Sequence, residues 1–178
     1  MKKLLCLCIS AVFVFGCFTN PGFAQSKQKM SVKALFKLVP TEYFTPQCCD
    51  GDVDKFLKEN ESVIDNKNGA MGGSENDGTN GFWFTIFSKS KGGYVAGLYS
   101  YNLRWHDFYF LDYKNGKWIN VSKTIPKYST ENFYLFPRLG KVVKVHKKKY
   151  DQPGEPVGVD NGVEIGKYLY SLTWKGDK

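Results

Sequence analysis

Histidine is almost missing from this chain. Of 178 residues only His106 and His146 are histidines, the first in a predicted turn and the second in a lysine run. Neither belongs to an HExxH helix, a nucleophile elbow or a zinc-ligand set, so the sequence offers no support for enzymes built on imidazole chemistry. Seventeen acidic residues provide many carboxylate pairs for a hydrolase, but nothing singles out one pair. A periodic repeat is also lacking, which excludes solenoid and fibrous architectures. So is an apolar run long enough to span a bilayer. The longest, Leu4 to Phe18, falls short of the roughly 20 residues a membrane helix needs.

That run instead has the form of an export signal. Lys2 and Lys3 supply a positive start, LLCLCISAVFVFGCF the apolar centre, and Pro21 the break. Gly22 and Ala24 then place small residues at the positions a signal peptidase reads, so cleavage is expected after Ala24, leaving residues 25–178 as one domain. The alternative is lipidation at Cys17 within Val14-Phe15-Gly16-Cys17, where Phe15 is bulky for a lipid-attachment box. A domain of this size buries about 70% of its unfolded surface and needs no covalent staple.

Cysteine is scarcer than its total of five suggests, because three lie in the leading segment. Cys48 and Cys49 remain, adjacent in sequence. Their Cα atoms are about 3.8 Å apart, below the usual disulfide range of about 4.4–6.8 Å, so a vicinal bridge would be strained and easily reduced. Two free thiols with a structural role, and metal, redox or intermolecular use, are the other readings. The next residues, Asp50, Asp52 and Asp54, with Glu61 at the twelfth place, have the carboxylate spacing of a calcium loop, except that Lys55 occupies the place of the required glycine. The same acids suit the start of a helix, with Asp52 as its cap.

Two short helices are predicted, from Ser31 to about Val39 and from Val53 to Asn60. Residues 65–81 carry five glycines and read as a loop. After that the period becomes two and aromatics dominate. Strands are expected at 82–88, 94–101, 107–113 and 117–122, the last two joined by an Asn115-Gly116 turn. Residues 129–136 read as a short helix or turn, and 141–147 and 167–174 as a closing pair of strands. The expected fold is α+β, with N-terminal helices packed on a mainly antiparallel meander of five to seven strands.

Charge is unevenly spread. Residues 25–80 hold seven lysines against nine acids, whereas residues 81–178 hold sixteen basic residues against eight acids. The sharpest cluster is Lys141, Lys144, His146, Lys147 and Lys149. Alternation puts Val143 and Val145 on one face of a strand and Lys144 and His146 on the other. Such lysines protect an edge strand, or they meet an anionic partner such as a phospholipid headgroup, an acidic polymer or an acidic protein. Nucleic acid does not suit an exported chain, although lysines interleaved with aromatics would fit single strands. Trp83, Trp105, Trp118 and Trp174 are candidates for a ligand groove or for the core, with Trp105, beside Arg104 in a predicted turn, the one expected to be exposed.

The segments FYFLDYKNGKWINV (108–121), FYLFPRLGKVVKV (133–145) and YLYSLTW near the end resemble small exported bacterial proteins of uncharacterised, Bacteroidetes-like families. The resemblance covers roughly the last 100 residues and implies hairpins and strand ends; it carries no catalytic residue. The functional expectation is an exported binding or interaction module of the envelope. The alternatives are an extracytoplasmic hydrolase with a carboxylate site, calcium-stabilised, and a lipid-anchored structural component.

Overall fold

The computed structural model describes residues 30–45, 52–102, 105–149 and 165–176. The leading segment, Cys48, Cys49, Asp50, Arg104 and the 151–162 loop lie outside the described residues. Two short helices come first. In α1 (Val32–Phe36) the Ser31 hydroxyl accepts the Ala34 N–H at 3.1 Å, and Val32, Leu35 and Phe36 are buried. In α2 (Val53–Glu59) the Asp52 carboxylate accepts the Lys55 N–H at 3.0 Å, so Asp52 serves as the cap.

The rest is dominated by antiparallel sheet. β1 (Glu61–Asp65), β2 (Ala70–Ser74), β3 (Gly81–Ser88), β4 (Tyr94–Tyr101), β5 (His106–Lys114) and β6 (Lys117–Asn120) form a six-stranded meander in chain order. A second sheet has β7 (Asn132–Leu135), β8 (Val142–Lys148) and β9 (Ile165–Thr173), in that order. Asn115 and Gly116 both adopt positive φ, at 51° and 79°, as a tight hairpin turn between β5 and β6 requires.

Three expectations need correction. The stretch 65–81 is not one loop: it contains the end of β1 and all of β2. Residues 129–136 are not a helix; a turn leads into β7. The strands do not form a single sheet but divide into six and three. In each case tertiary pairing overrode weak local propensity, because glycine-rich β2 is held from both sides by register with β1 and β3.

The central strands β3, β4 and β5 are buried on both faces, and alternation assigns the side chains. Phe82, Phe84, Ala96, Leu98, Leu111 and Trp118 share one cluster with Leu35, Phe36, Phe56 and Leu57. Phe36 stacks on Phe82 with centroids 4.3 Å apart, and the Trp118 indole N–H donates to the Leu35 carbonyl at 2.8 Å. On the opposite face Phe87, Phe108 and Phe110 meet Phe133, Tyr134, Phe136, Val143 and Val145 of the second sheet and its flank. A three-stranded sheet is too narrow to cover six strands.

Candidate functional site

The uncovered part of that face is a groove of about 720 Å³. Its floor is the sheet at Gly72, Gly73, Phe82, Trp83, Tyr99 and Tyr101; β1 contributes Glu61, Ser62 and Val63, and the wall is Phe133, Tyr134, Leu135 and Phe136. Seven of the lining residues are aromatic, and among the described residues Glu61 is the one carboxylate. Glycine makes the floor possible. A Cβ on Gly72 would stand 2.3 Å from the Trp83 ring, and one on Gly97 would stand 2.2 Å from the Phe136 ring, so both rings lie directly on backbone. Trp83 is fixed further: its N–H donates to the Thr85 hydroxyl at 3.0 Å, and that hydroxyl donates to the Pro137 carbonyl at 2.9 Å.

Behind the groove lies a stack of rings. Tyr99 lies parallel to Phe108 at 4.6 Å and to Tyr101 at 5.1 Å, and Tyr101 stacks on His106 at 5.9 Å. The Tyr99 hydroxyl and His106 Nδ1 are 2.9 Å apart. His106 does not sit in a turn as expected; it opens β5 and is only 8% exposed. Its Nε2 is buried without a hydrogen-bond partner among the described residues. Burial first, and the Lys148 ammonium second, lower its pKa from 6.5 to about 4. Burial likewise raises the Tyr99 phenol well above its ordinary value. The pair is therefore neutral at pH 7, suited to holding rings in place and not to moving protons.

Lys148 turns inward beside this stack. Its ammonium donates to the His106 carbonyl at 2.8 Å and lies 5.4 Å from the Phe108 centroid. Burial lowers its pKa, against the pull of Asp107 and Glu131, while burial raises the Asp107 carboxyl against the pull of Lys148.

The residues singled out in the sequence are placed as follows. Val143 and Val145 are buried and Lys144 is exposed, so the alternation of β8 holds there. Lys141 and Lys144 form no ion pair among the described residues, Lys147 is 3.9 Å from Glu131, and His146 is half-buried with Nδ1 3.0 Å from the Gly166 carbonyl. Lys149, at the end of the cluster, is exposed. Trp105 is 57% exposed. Of the calcium set, Asp52 caps α2, Asp54 is paired with Lys33 and Lys37, and Glu61 opens β1 at the groove. Among the described residues no group of three or more His, Cys, Asp or Glu is placed to hold a metal ion. Asp50 and the Cys48-Cys49 pair lie outside the described residues.

Of the tryptophans read as groove candidates, Trp83 lines this groove and Trp118 is in the core; the parts contributed by β1, β2, β4 and β7 were missed by sequence reasoning. One signal was present: Ser62-Val63-Ile64, then Asn68-Gly69, is β-branched sequence running into a tight turn. No protein family, curated protein or solved structure matches the chain.

Proposed function

We propose that this chain is an exported, non-catalytic binding module of the bacterial envelope or the space outside it, and that it takes its ligand in the aromatic groove. The export signal of residues 1–24 and the resemblance to small exported proteins support the location. The observation that carries the binding reading is the groove itself: about 720 Å³ of aromatic-lined space on a sheet face that the second sheet covers in part. Pockets of roughly 300–1,000 Å³ with apolar walls and a few polar groups are the usual form of ligand sites. The Tyr99–His106 contact and the stacking on Phe108 position the Tyr99 ring in the floor.

Titration with the uncharged dye N-phenyl-1-naphthylamine tests this reading, because a neutral probe is not drawn to the lysines. Saturable binding at one site, weakened about tenfold in Trp83→Ala, is expected, a change of about 1.4 kcal/mol. Non-saturable binding, or equal affinity in the variant, would refute it.

A second reading rests on the outer side of β8, where Lys144 is exposed and it and Lys141 lack ion pairs among the described residues. This strand meets an anionic partner, either a phospholipid surface or an acidic macromolecule. Binding to anionic vesicles should fall with added salt and be lost when Lys144, Lys147 and Lys149 are changed to Gln. Equal binding by that variant would remove the reading.

A further inference from the structure

Strand register in the six-stranded sheet sets one carboxylate beside the accessible rings of the groove. Residues paired directly across neighbouring strands share a face, and so do residues two apart along one strand. Trp83 lies opposite Tyr99 on one side and Gly72 on the other. Two residues along, a second row on the same face runs across four strands: Glu61 pairs with Ser74, Ser74 with Gly81, and Gly81 with Tyr101. Glu61 and Tyr101 therefore stand at the two ends of a row on the groove face, with only a serine and a glycine between them.

Both rows lean toward β1. A Cβ on Gly81 would stand 2.5 Å from the Tyr101 hydroxyl, so the Tyr101 side chain reaches across Gly81 toward β2. Trp83 reaches the same way, one side of its six-membered ring resting on the Gly72 backbone. Gly72 is the diagonal neighbour of Glu61, about 7–8 Å away, a separation that long and aromatic side chains bridge. Glu61 is exposed, and Trp83, Tyr99 and Tyr101 are half-buried, so a ligand can touch all four. The Trp83 N–H is given to Thr85, and the Tyr99 hydroxyl is 2.9 Å from His106 Nδ1, so these two rings offer the groove π surface in place of hydrogen-bonding groups. The described lining holds no lysine or arginine, although the chain carries 25 of them.

We propose that the ligand of the groove is an organic cation with an apolar body, an alkylated ammonium in class, its charged head held between the Glu61 carboxylate and the Trp83 and Tyr101 rings; this rests on the groove being the binding site, as read above, and names what it takes. A carboxylate beside aromatic faces attracts positive charge in two ways, by direct Coulomb attraction and through the negative face of the ring quadrupole, and it disfavours an anion on both counts. The apolar body of the ligand lies along the remaining aromatic lining. A neutral sugar fits less well, because the Trp83 N–H and the Tyr99 hydroxyl are already engaged within the protein.

Benzyltrimethylammonium, benzyl alcohol and benzenesulfonate carry the same ring with a positive, a neutral and a negative group, and calorimetric titration of each at fixed ionic strength tests the proposal. The cation is expected to bind at one site at least about tenfold more tightly than the alcohol, and the sulfonate more weakly than either. Glu61→Gln should weaken the cation about tenfold and leave the affinity for uncharged N-phenyl-1-naphthylamine unchanged, whereas Glu59→Gln, at an exposed carboxylate outside the groove, should leave the cation unaffected. A cation bound no better than the alcohol, equal loss in the two glutamate variants, unchanged cation affinity in Glu61→Gln, or tighter binding of the neutral sugar cellotriose overturns the proposal. Dye binding separates the two levels: if N-phenyl-1-naphthylamine binds through Trp83 but the cation is not preferred, the groove remains a site and only the ligand class is wrong. If the dye does not bind either, the groove reading falls first.

Discussion

The two faces of the six-stranded sheet have similar aromatic side chains and different fates. On one face Phe82, Phe84 and Leu98 are sealed with α1 and α2 in a single cluster. On the other, Phe87, Phe108 and Phe110 are sealed by the second sheet, but Trp83 and Tyr101, on the same face, border open space. Since burial is worth roughly 25 cal/mol per Å² of apolar surface, leaving that area open forgoes stabilisation. An aromatic surface that is held rigid and left uncovered is better suited to a partner than to the fold.

The largest effect should come from the sealed face. Phe84→Ala removes a fully buried ring and is expected to destabilise the fold by about 3–5 kcal/mol in denaturant titration. Trp83→Ala, on the open side, should cost clearly less stability and yet weaken dye binding about tenfold. Equal losses for the two variants would erase the contrast between the faces.

The next effect is electrostatic. His106 is neutral in the folded protein, with a pKa of about 4, whereas unfolded it returns to about 6.5. Between those values the unfolded chain binds more protons, so stability should fall as pH drops from 6.5 to 4, by at most about 3 kcal/mol. Asp107 acts in the opposite sense near the acid end, because its folded pKa is raised and protonation favours the folded form. His106→Phe should flatten the slope between pH 6.5 and 5 in urea melts at stepped pH. An unchanged slope would show that the imidazole is not the group responsible.

Much of this fold was legible in the sequence, and the boundary has a physical cause. Strands β3 to β6 announced themselves through aromatic alternation and through Asn115-Gly116, because their side chains alone specify which way they face. Helix starts were legible at Ser31 and Asp52, whose side chains act on backbone three residues away. The groove was not, because β2 is AMGGS: its glycines are there to accept Trp83, a residue distant in sequence. β7 has only four residues, and it lines the groove only through the tertiary placement of the second sheet. Trp105 was read correctly as exposed, since a turn leaves an indole nothing to pack on.

Glycine substitution separates the closed and open parts of the same face. Gly97→Ala drives a methyl into the Phe136 ring, which is buried beneath the second sheet, and should cost about 1–3 kcal/mol. Gly72→Ala meets the Trp83 ring and also the Phe82 carbonyl, the latter at 2.9 Å, so it costs stability as well, and because Trp83 borders the groove the loss comes with a shift in tryptophan emission. Unchanged emission in Gly72→Ala would contradict the seating of Trp83 on that backbone.

The smallest effect on stability belongs to the outer side of the second sheet. Lys144→Gln changes an exposed side chain without an ion pair among the described residues and should stay within about 0.5 kcal/mol by thermal melt.

The central claim is that the aromatic groove takes a ligand, and fluorescence titration of the protein and of Trp83→Ala with N-phenyl-1-naphthylamine tests it most directly. The account predicts one saturable site, bound about tenfold more weakly by the variant. Non-saturable binding, or equal affinity in the variant, would contradict it.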